Sequence, residues 1–217
     1  MLTYERSVWD ATPGIILAGV DEAGRGCLAG PVVAGAVSMP PELAEQLYAD
    51  PLAGLTDSKQ LTPAQREAFF TQLTHTEGVD WGIGMATAQE VDGLNILVAT
   101  HTAMRRALGA LRVTAGYALI DGLAVKGLPC PSTPIVRGDA QSFLIAAASI
   151  IAKVSRDRLM RTLHAQYPHY GFDTHKGYGV NEHIAALYKH GPCPEHRRTF
   201  RPVQDIDQRL PGFEGLD

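Results

Sequence analysis

"GIILAGVDEAGRGCLAGPVVAGAVSM", residues 14–39, holds two apolar runs on either side of a glycine-rich turn. The first run, 14–21, reads as a buried strand that ends at Asp21 and Glu22, and the second, 31–39, reads as another. The link between them is too short for a helical crossover, so the two strands are expected to pair antiparallel. Charge is costly at the end of a buried strand, yet two carboxylates stand there side by side. Arg25, flanked by Gly24 and Gly26, follows at once.

Two more strand-like runs end in acid: "YALIDG" (117–122) at Asp121 and "PIVRGD" (134–139) at Asp139. The carboxyl ends of strands in an open α/β sheet are where sites form. If these runs are neighbours, Asp21, Glu22, Asp121 and Asp139 converge. Two carboxylates about 4 Å apart repel by roughly 4 kcal/mol at an effective dielectric near 20. A divalent cation is the economical counter-charge, and an all-oxygen ligand set favours Mg²⁺ or Mn²⁺ over zinc. A pair of such ions suits in-line phosphoryl chemistry. Taken one at a time, each acid also reads as an ordinary turn residue. The glycine-flanked arginine fits neither a Walker loop nor a dinucleotide turn, because a strand follows it rather than a helix. Its glycines let a ligand approach the backbone, and Arg25 can meet phosphate; alone the segment reads as a tight turn, and the two carboxylates beside it favour a ligand.

The remaining pattern alternates helix and strand. "TPAQREAFFTQLTHT" (62–76) opens with Thr62 as N-cap and Pro63 at the first helical position. "VDWGIGMA" (79–86) is strand-like, and Thr87 with Glu90 forms a capping-box pattern before the apolar-faced helix 96–111. From Gln141 to about Gln166 the chain reads as a helix whose first half, "FLIAAASIIA", is apolar all round and therefore buried. "HYGFDTHKGYG" (169–179) reads as a loop and 180–191 as a further helix. An α/β domain with helices on a sheet follows.

The 217 residues are enough for a sizeable core, and no apolar run approaches the roughly 18 residues a membrane span requires. "MLTYERSVWD" lacks the basic-then-apolar order of a signal peptide, and three cysteines without CxxC spacing fit a reducing compartment. A cytoplasmic protein without membrane contact is expected. The net charge of −4 hides an asymmetry: residues 137–201 carry 10 Lys and Arg against 5 Asp and Glu, with six of the eight histidines. That stretch is a candidate footprint for a polyanion, or a set of solvated helix faces. The histidines are read as solvated or close to phosphate rather than as ligands. Cys27, Tyr170 and Phe172 are read as packing residues, and Ser149 as bonded to the preceding helical turn.

The ordered motifs "GVDEAGRG", "TDSKQL", "LIDG", "VRGDAQSFLIAAASIIAKVSRDRLM", "YPHYGFDTHKGYG" and "GPCPEHRRTFRPV" resemble those of the type 2 ribonuclease H family over residues 15–203. The resemblance implies a ribonuclease H-like mixed sheet flanked by helices, with a C-terminal helical extension. It implies one catalytic domain over 1–204, and 205–217 is expected to be a mobile acidic tail. The implied activity is metal-dependent hydrolysis of the RNA strand of RNA–DNA hybrids, with incision of duplex DNA at embedded ribonucleotides. Two metal ions, Mn²⁺ or Mg²⁺, would leave 3′-hydroxyl and 5′-phosphate ends, in a protein acting as a monomer. By the same resemblance Asp21, Glu22, Asp121 and Asp139 are catalytic metal ligands. Gly24, Arg25 and Gly26 read the 2′-hydroxyl, Tyr178 stacks on the following deoxyribose, and Lys59 and Lys153 lie near phosphates. Cys27 replaces a usual proline and Gln60 a common lysine. A hybrid-binding module without catalysis would need one of the four acids missing. An unrelated acid-cluster nuclease or strand-transfer enzyme would lack the glycine–arginine turn.

Overall fold

Strand β1 (Leu17–Ala23) is the hinge of the architecture, because its two neighbours run in opposite senses. It pairs antiparallel with β2 (Val32–Ser38), from Ala18↔Ser38 to Ala23↔Val33, as the short turn requires. On its other edge it pairs parallel with β4 (Tyr117–Asp121), and β4 pairs parallel with β5 (Ser132–Ile135). With β3 (Asp80–Ala86) the mixed sheet has five strands in the order β3-β2-β1-β4-β5. The structure, a computed structural model, describes residues 1–209.

The helices are α1 (Thr3–Ala11), α2 (Pro41–Ala49), α3 (Pro63–His75), α4 (Ala88–Leu94), α5 (Ile96–Gly109), α6 (Phe143–Gln166), α7 (Phe172–His175), α8 (Asn181–His190) and α9 (Val203–Arg209). The Thr87–Glu90 capping box forms, Thr62 caps α3 as expected and completes a second box with Gln65, and Pro63 occupies the first turn of α3. The loop expected over 169–179 contains the short α7 and a 3-10 turn at Pro168–Tyr170. Helix α9 crosses the expected start of the tail at residue 205, with Ile206 only 1% exposed. The rest of that tail, from residue 210, lies outside the described residues. Among the described residues, no helix is long and apolar enough to cross a membrane.

The described chain divides into two compact units, one of residues 1–23, 33–85 and 100–155, the other of 24–32, 86–99 and 156–209. The first contains the sheet. Its core joins Leu17, Val37 and Leu119 to the apolar half of α6, from Phe143 to Val154. Contact is close enough that a Cβ on Gly19 would collide with the backbone of Leu144, so glycine is required there for the strand to lie on the helix. The start of α6 is fixed by a residue whose sequence gave no hint of it. Glu5 on α1 is fully buried and accepts from the Ser142 hydroxyl at 2.6 Å and the Leu144 amide at 3.0 Å. Burial pushes its carboxyl pKa up, against those hydrogen bonds.

The second unit has its own core around Met160, Tyr170, Phe172, Leu187 and Val203. Tyr170 and Phe172 are buried and stacked on each other, as their packing reading required. Two histidines depart from expectation, since His183 and His196 are buried rather than solvated. The Tyr178 carbonyl can only accept, so His183 Nδ1, 2.9 Å away, carries its proton. Its Nε2 is then an acceptor for His196 Nε2–H at 3.0 Å, and His196 Nδ1 accepts the Cys193 amide at 3.0 Å. Both rings are thus satisfied only while neutral. Burial drives His183 down to about 4 and His196 to about 3. The unfolded chain binds these protons near pH 6.5 and the folded chain does not, so stability falls as pH drops from 6.5 toward 4. The loss is on the order of 3 kcal/mol or more. Denaturant midpoints at pH 7 and pH 4.5 check this, and a His183→Asn, His196→Gln double variant flattens the difference.

Candidate active site

The parallel register sets Val20 opposite Ile120, so the next residues, Asp21 and Asp121, emerge together. β1 was expected to end at its acids but continues to Ala23, because pairing with β2 persists through Ala23↔Val33 after the ladder to β4 has stopped. Asp21 and Glu22 therefore lie on a strand held along one edge and open along the other. Ligand atoms of Asp21, Glu22 and Asp121 lie within 4.8 Å of one another, the one group of three or more such side chains among the described residues.

Asp139 reaches the site differently from expectation. β5 stops at Ile135, and Asp139 lies on a 3-10 turn, Gly138–Ala140, rather than at a strand end. Asp121 Oδ1 accepts the Gly138 amide at 2.6 Å and the Asp139 amide at 3.4 Å, folding this turn back onto β4. Asp139 stands outside the group of three, but its charge is felt by Asp21.

Burial, then Glu22, then Asp121 push the Asp21 carboxyl well above the ordinary range, and the Glu22 amide at 2.6 Å opposes them. Burial, then Asp121 and Asp57, raise Asp139 likewise. A cluster of carboxylates whose ionisation is opposed by burial and by one another gains from added positive charge. Hard oxygen donors at this spacing fit a divalent cation and favour a hard one over zinc.

Asp57 was quoted in "TDSKQL" without a role. It shares a side-chain hydrogen bond with Asp139 and accepts the Lys59 amide at 2.9 Å, opening a 3-10 turn at Ser58–Gln60. Ser149 of α6 does not bond back to its own helix. Its hydroxyl donates to Ser58 Oγ at 2.8 Å, tying this turn to α6. Lys59 is exposed but faces the acids: partial burial lowers its pKa, and Asp57, Asp21, Asp139 and Asp121 outweigh that and raise it. Lys59 thus acts as a local counter-charge. Lys153 lies half-buried on α6.

In the second unit, Gly24 is buried at φ +94°, where a Cβ would overlap the Arg156 side chain; Arg25 and Gly26 are exposed. Tyr178 is 42% exposed, and its hydroxyl shares a hydrogen bond with Cys27, which is fully buried. Two of the ten cations in 137–201, Arg156 and Arg197, are buried at 1% and 0% exposure, so the basic stretch is not wholly a surface feature.

A family model described as ribonuclease HII matches residues 18–203. Ribonuclease HII of Syntrophotalea carbinolica is 53% identical over 189 residues, covering 87% of each chain. That of Paracidovorax citrulli is 52% identical over 197 residues, covering 91% of this chain and 78% of the relative. The chain belongs to the ribonuclease HII family. It is a divalent-metal-dependent endoribonuclease acting on RNA–DNA hybrids. Among solved structures, ribonuclease H2 from Pyrococcus horikoshii OT3 has a TM-score of 0.74 at 29% identity, covering 90% of this chain and 98% of that one. Bst-RNase HIII in complex with Mn²⁺, at 16% identity and a TM-score of 0.62 over 90% of this chain and 71% of that one, shares the fold.

Proposed function

We propose that Asp21, Glu22, Asp121 and Asp139 hold Mg²⁺ or Mn²⁺ and that the protein nicks duplex DNA at single ribonucleotides as well as hydrolysing hybrids. The observation that carries this reading is the convergence of Asp21, Glu22 and Asp121 within 4.8 Å on a partly buried strand edge. When bound, such ions supply an activated water and steady the leaving oxygen of a phosphodiester. The chain's own residues do the rest. Asp121 anchors the turn that carries Asp139, and Lys59 offsets negative charge beside the acids and lies ready to meet a backbone phosphate. Lys153 is a second candidate for phosphate contact.

Substrate choice falls to the second unit. The main chain at Gly24, Arg25 and Gly26 can hydrogen-bond a 2′-hydroxyl because no side chain intervenes at either glycine. The Tyr178 ring is exposed, as a stacking platform must be, and it would pack on the deoxyribose after the ribonucleotide. Tyr178→Ala is expected to reduce cleavage of a single ribonucleotide in DNA by roughly 30-fold, the middle of the range for a lost stacking contact. A continuous hybrid should lose less, since the following sugar there is ribose. Initial rates on the two substrates check this, and an equal loss on both would assign junction recognition elsewhere. The protein is proposed to act as a monomer in the cytoplasm.

A further inference from the structure

Charged groups are seldom buried without a carboxylate or phosphate partner, because desolvation costs several kcal/mol per ion. In the second unit two guanidiniums are buried and bond main-chain oxygens instead. Arg197 donates to Gly24 O at 2.7 Å, Arg25 O at 2.8 Å and Gly30 O at 2.8 and 3.0 Å. Arg156 donates to Ala29 O at 3.1 Å, Pro31 O at 3.0 Å and Lys176 O at 2.9 Å. The planar fork suits this task, since it offers five donors in fixed directions. Burial pushes the Arg197 pKa down to about 10, still charged at neutral pH.

The consequence for the turn follows from peptide geometry. In a trans peptide the N–H points opposite to the C=O. With the carbonyls of Gly24 and Arg25 held toward Arg197, the amides of Arg25 and Gly26 are aimed the other way, on two exposed residues. Arg156 fastens the same segment to Lys176, two residues before Tyr178, and Leu28 N donates to Gly177 O at 2.8 Å. Gly24 must be glycine for the guanidinium of Arg156 to pass.

We infer that Arg197, assisted by Arg156, is a positioning residue for ribonucleotide discrimination, fixing the direction of the Arg25 and Gly26 amides. The inference rests on the proposed reading of the turn. The test is equilibrium binding, in Ca²⁺, of a duplex with one ribonucleotide and of the all-DNA duplex of the same sequence, reading the ratio of the two dissociation constants. Arg197→Lys keeps the charge and loses the fork, and is expected to reduce that ratio about 10-fold, or 1.4 kcal/mol. Gly26→Ala tests the turn itself, because an added Cβ there meets nothing within 4 Å; it too should collapse the ratio. If Gly26→Ala collapses it and Arg197→Lys leaves it unchanged, or weakens both duplexes in proportion, the clamp is overturned and the turn reading stands. If Gly26→Ala leaves the native ratio intact, the turn reading falls and the inference with it. Should Arg197→Lys not fold, Arg156→Lys is measured in the same way. A reduced ratio supports the inference and an unchanged ratio overturns it.

Discussion

Replacing Asp121 with Asn lowers cleavage of an RNA–DNA hybrid by about three orders of magnitude or more, while the protein stays folded. The substitution keeps the shape of the side chain and retains a carbonyl oxygen for the Gly138 amide, which Asp121 Oδ1 now accepts at 2.6 Å. It removes one negative charge from a site whose donor atoms lie within 4.8 Å of one another. Stabilisation of the transition state by bound metal amounts to several kcal/mol, and each 1.36 kcal/mol is tenfold in rate. Single-turnover rates at saturating Mn²⁺, beside circular dichroism of the variant, check the expectation. Near-native cleavage would remove Asp121 from the site.

Asp21→Asn is expected to split activity from stability, abolishing cleavage while raising the melting temperature of the metal-free protein at pH 7. The sign follows from linkage. The folded-state pKa of Asp21 is raised above its unfolded value, chiefly by burial and then by Glu22. Such a group favours folding at low pH and becomes a penalty as pH rises through the folded value. Asn has no charge to bury, so the penalty disappears. At this chain length about 1 kcal/mol moves the melting temperature by roughly 2–4 °C. Saturating Mn²⁺ should raise the melting temperature of the native protein and have little effect on the variant, because only the intact cluster binds the ion tightly. Thermal melts in EDTA and in Mn²⁺ decide it. A variant less stable than native in EDTA would mean that Asp21 serves the fold rather than the metal.

The antiparallel pairing of β1 with β2, the Thr62 cap, the Thr87–Glu90 capping box and the buried half of α6 were legible because local rules govern them: alternation, cap chemistry and an apolar run. The convergence of Asp21 with Asp121 was legible only as a condition, since register between strands some 100 residues apart is a tertiary matter. The place of Asp139 was misread by a few residues because β5 ends early and Asp121 draws the following turn inward. Asp57 carried a motif but no role, because its partner Asp139 is remote in sequence. Arg156, Arg197, His183 and His196 were counted as surface charge or solvated rings. Nothing local marks a buried cation whose partners are carbonyls, and only the fold shows those carbonyls facing it.

The central claim is that four carboxylates hold metal for hydrolysis at a ribonucleotide, and the chemistry of the cut ends tests it most directly. A duplex carrying one ribonucleotide is incubated with protein in Mn²⁺ or in EDTA, and both new termini are identified by mass. The predicted result is a single nick in Mn²⁺, none in EDTA, with a 3′-hydroxyl on one fragment and a 5′-phosphate on the other. A 2′,3′-cyclic phosphate would make the 2′-hydroxyl the nucleophile, and either that product or cleavage that persists in EDTA would contradict the assignment of these acids to metal.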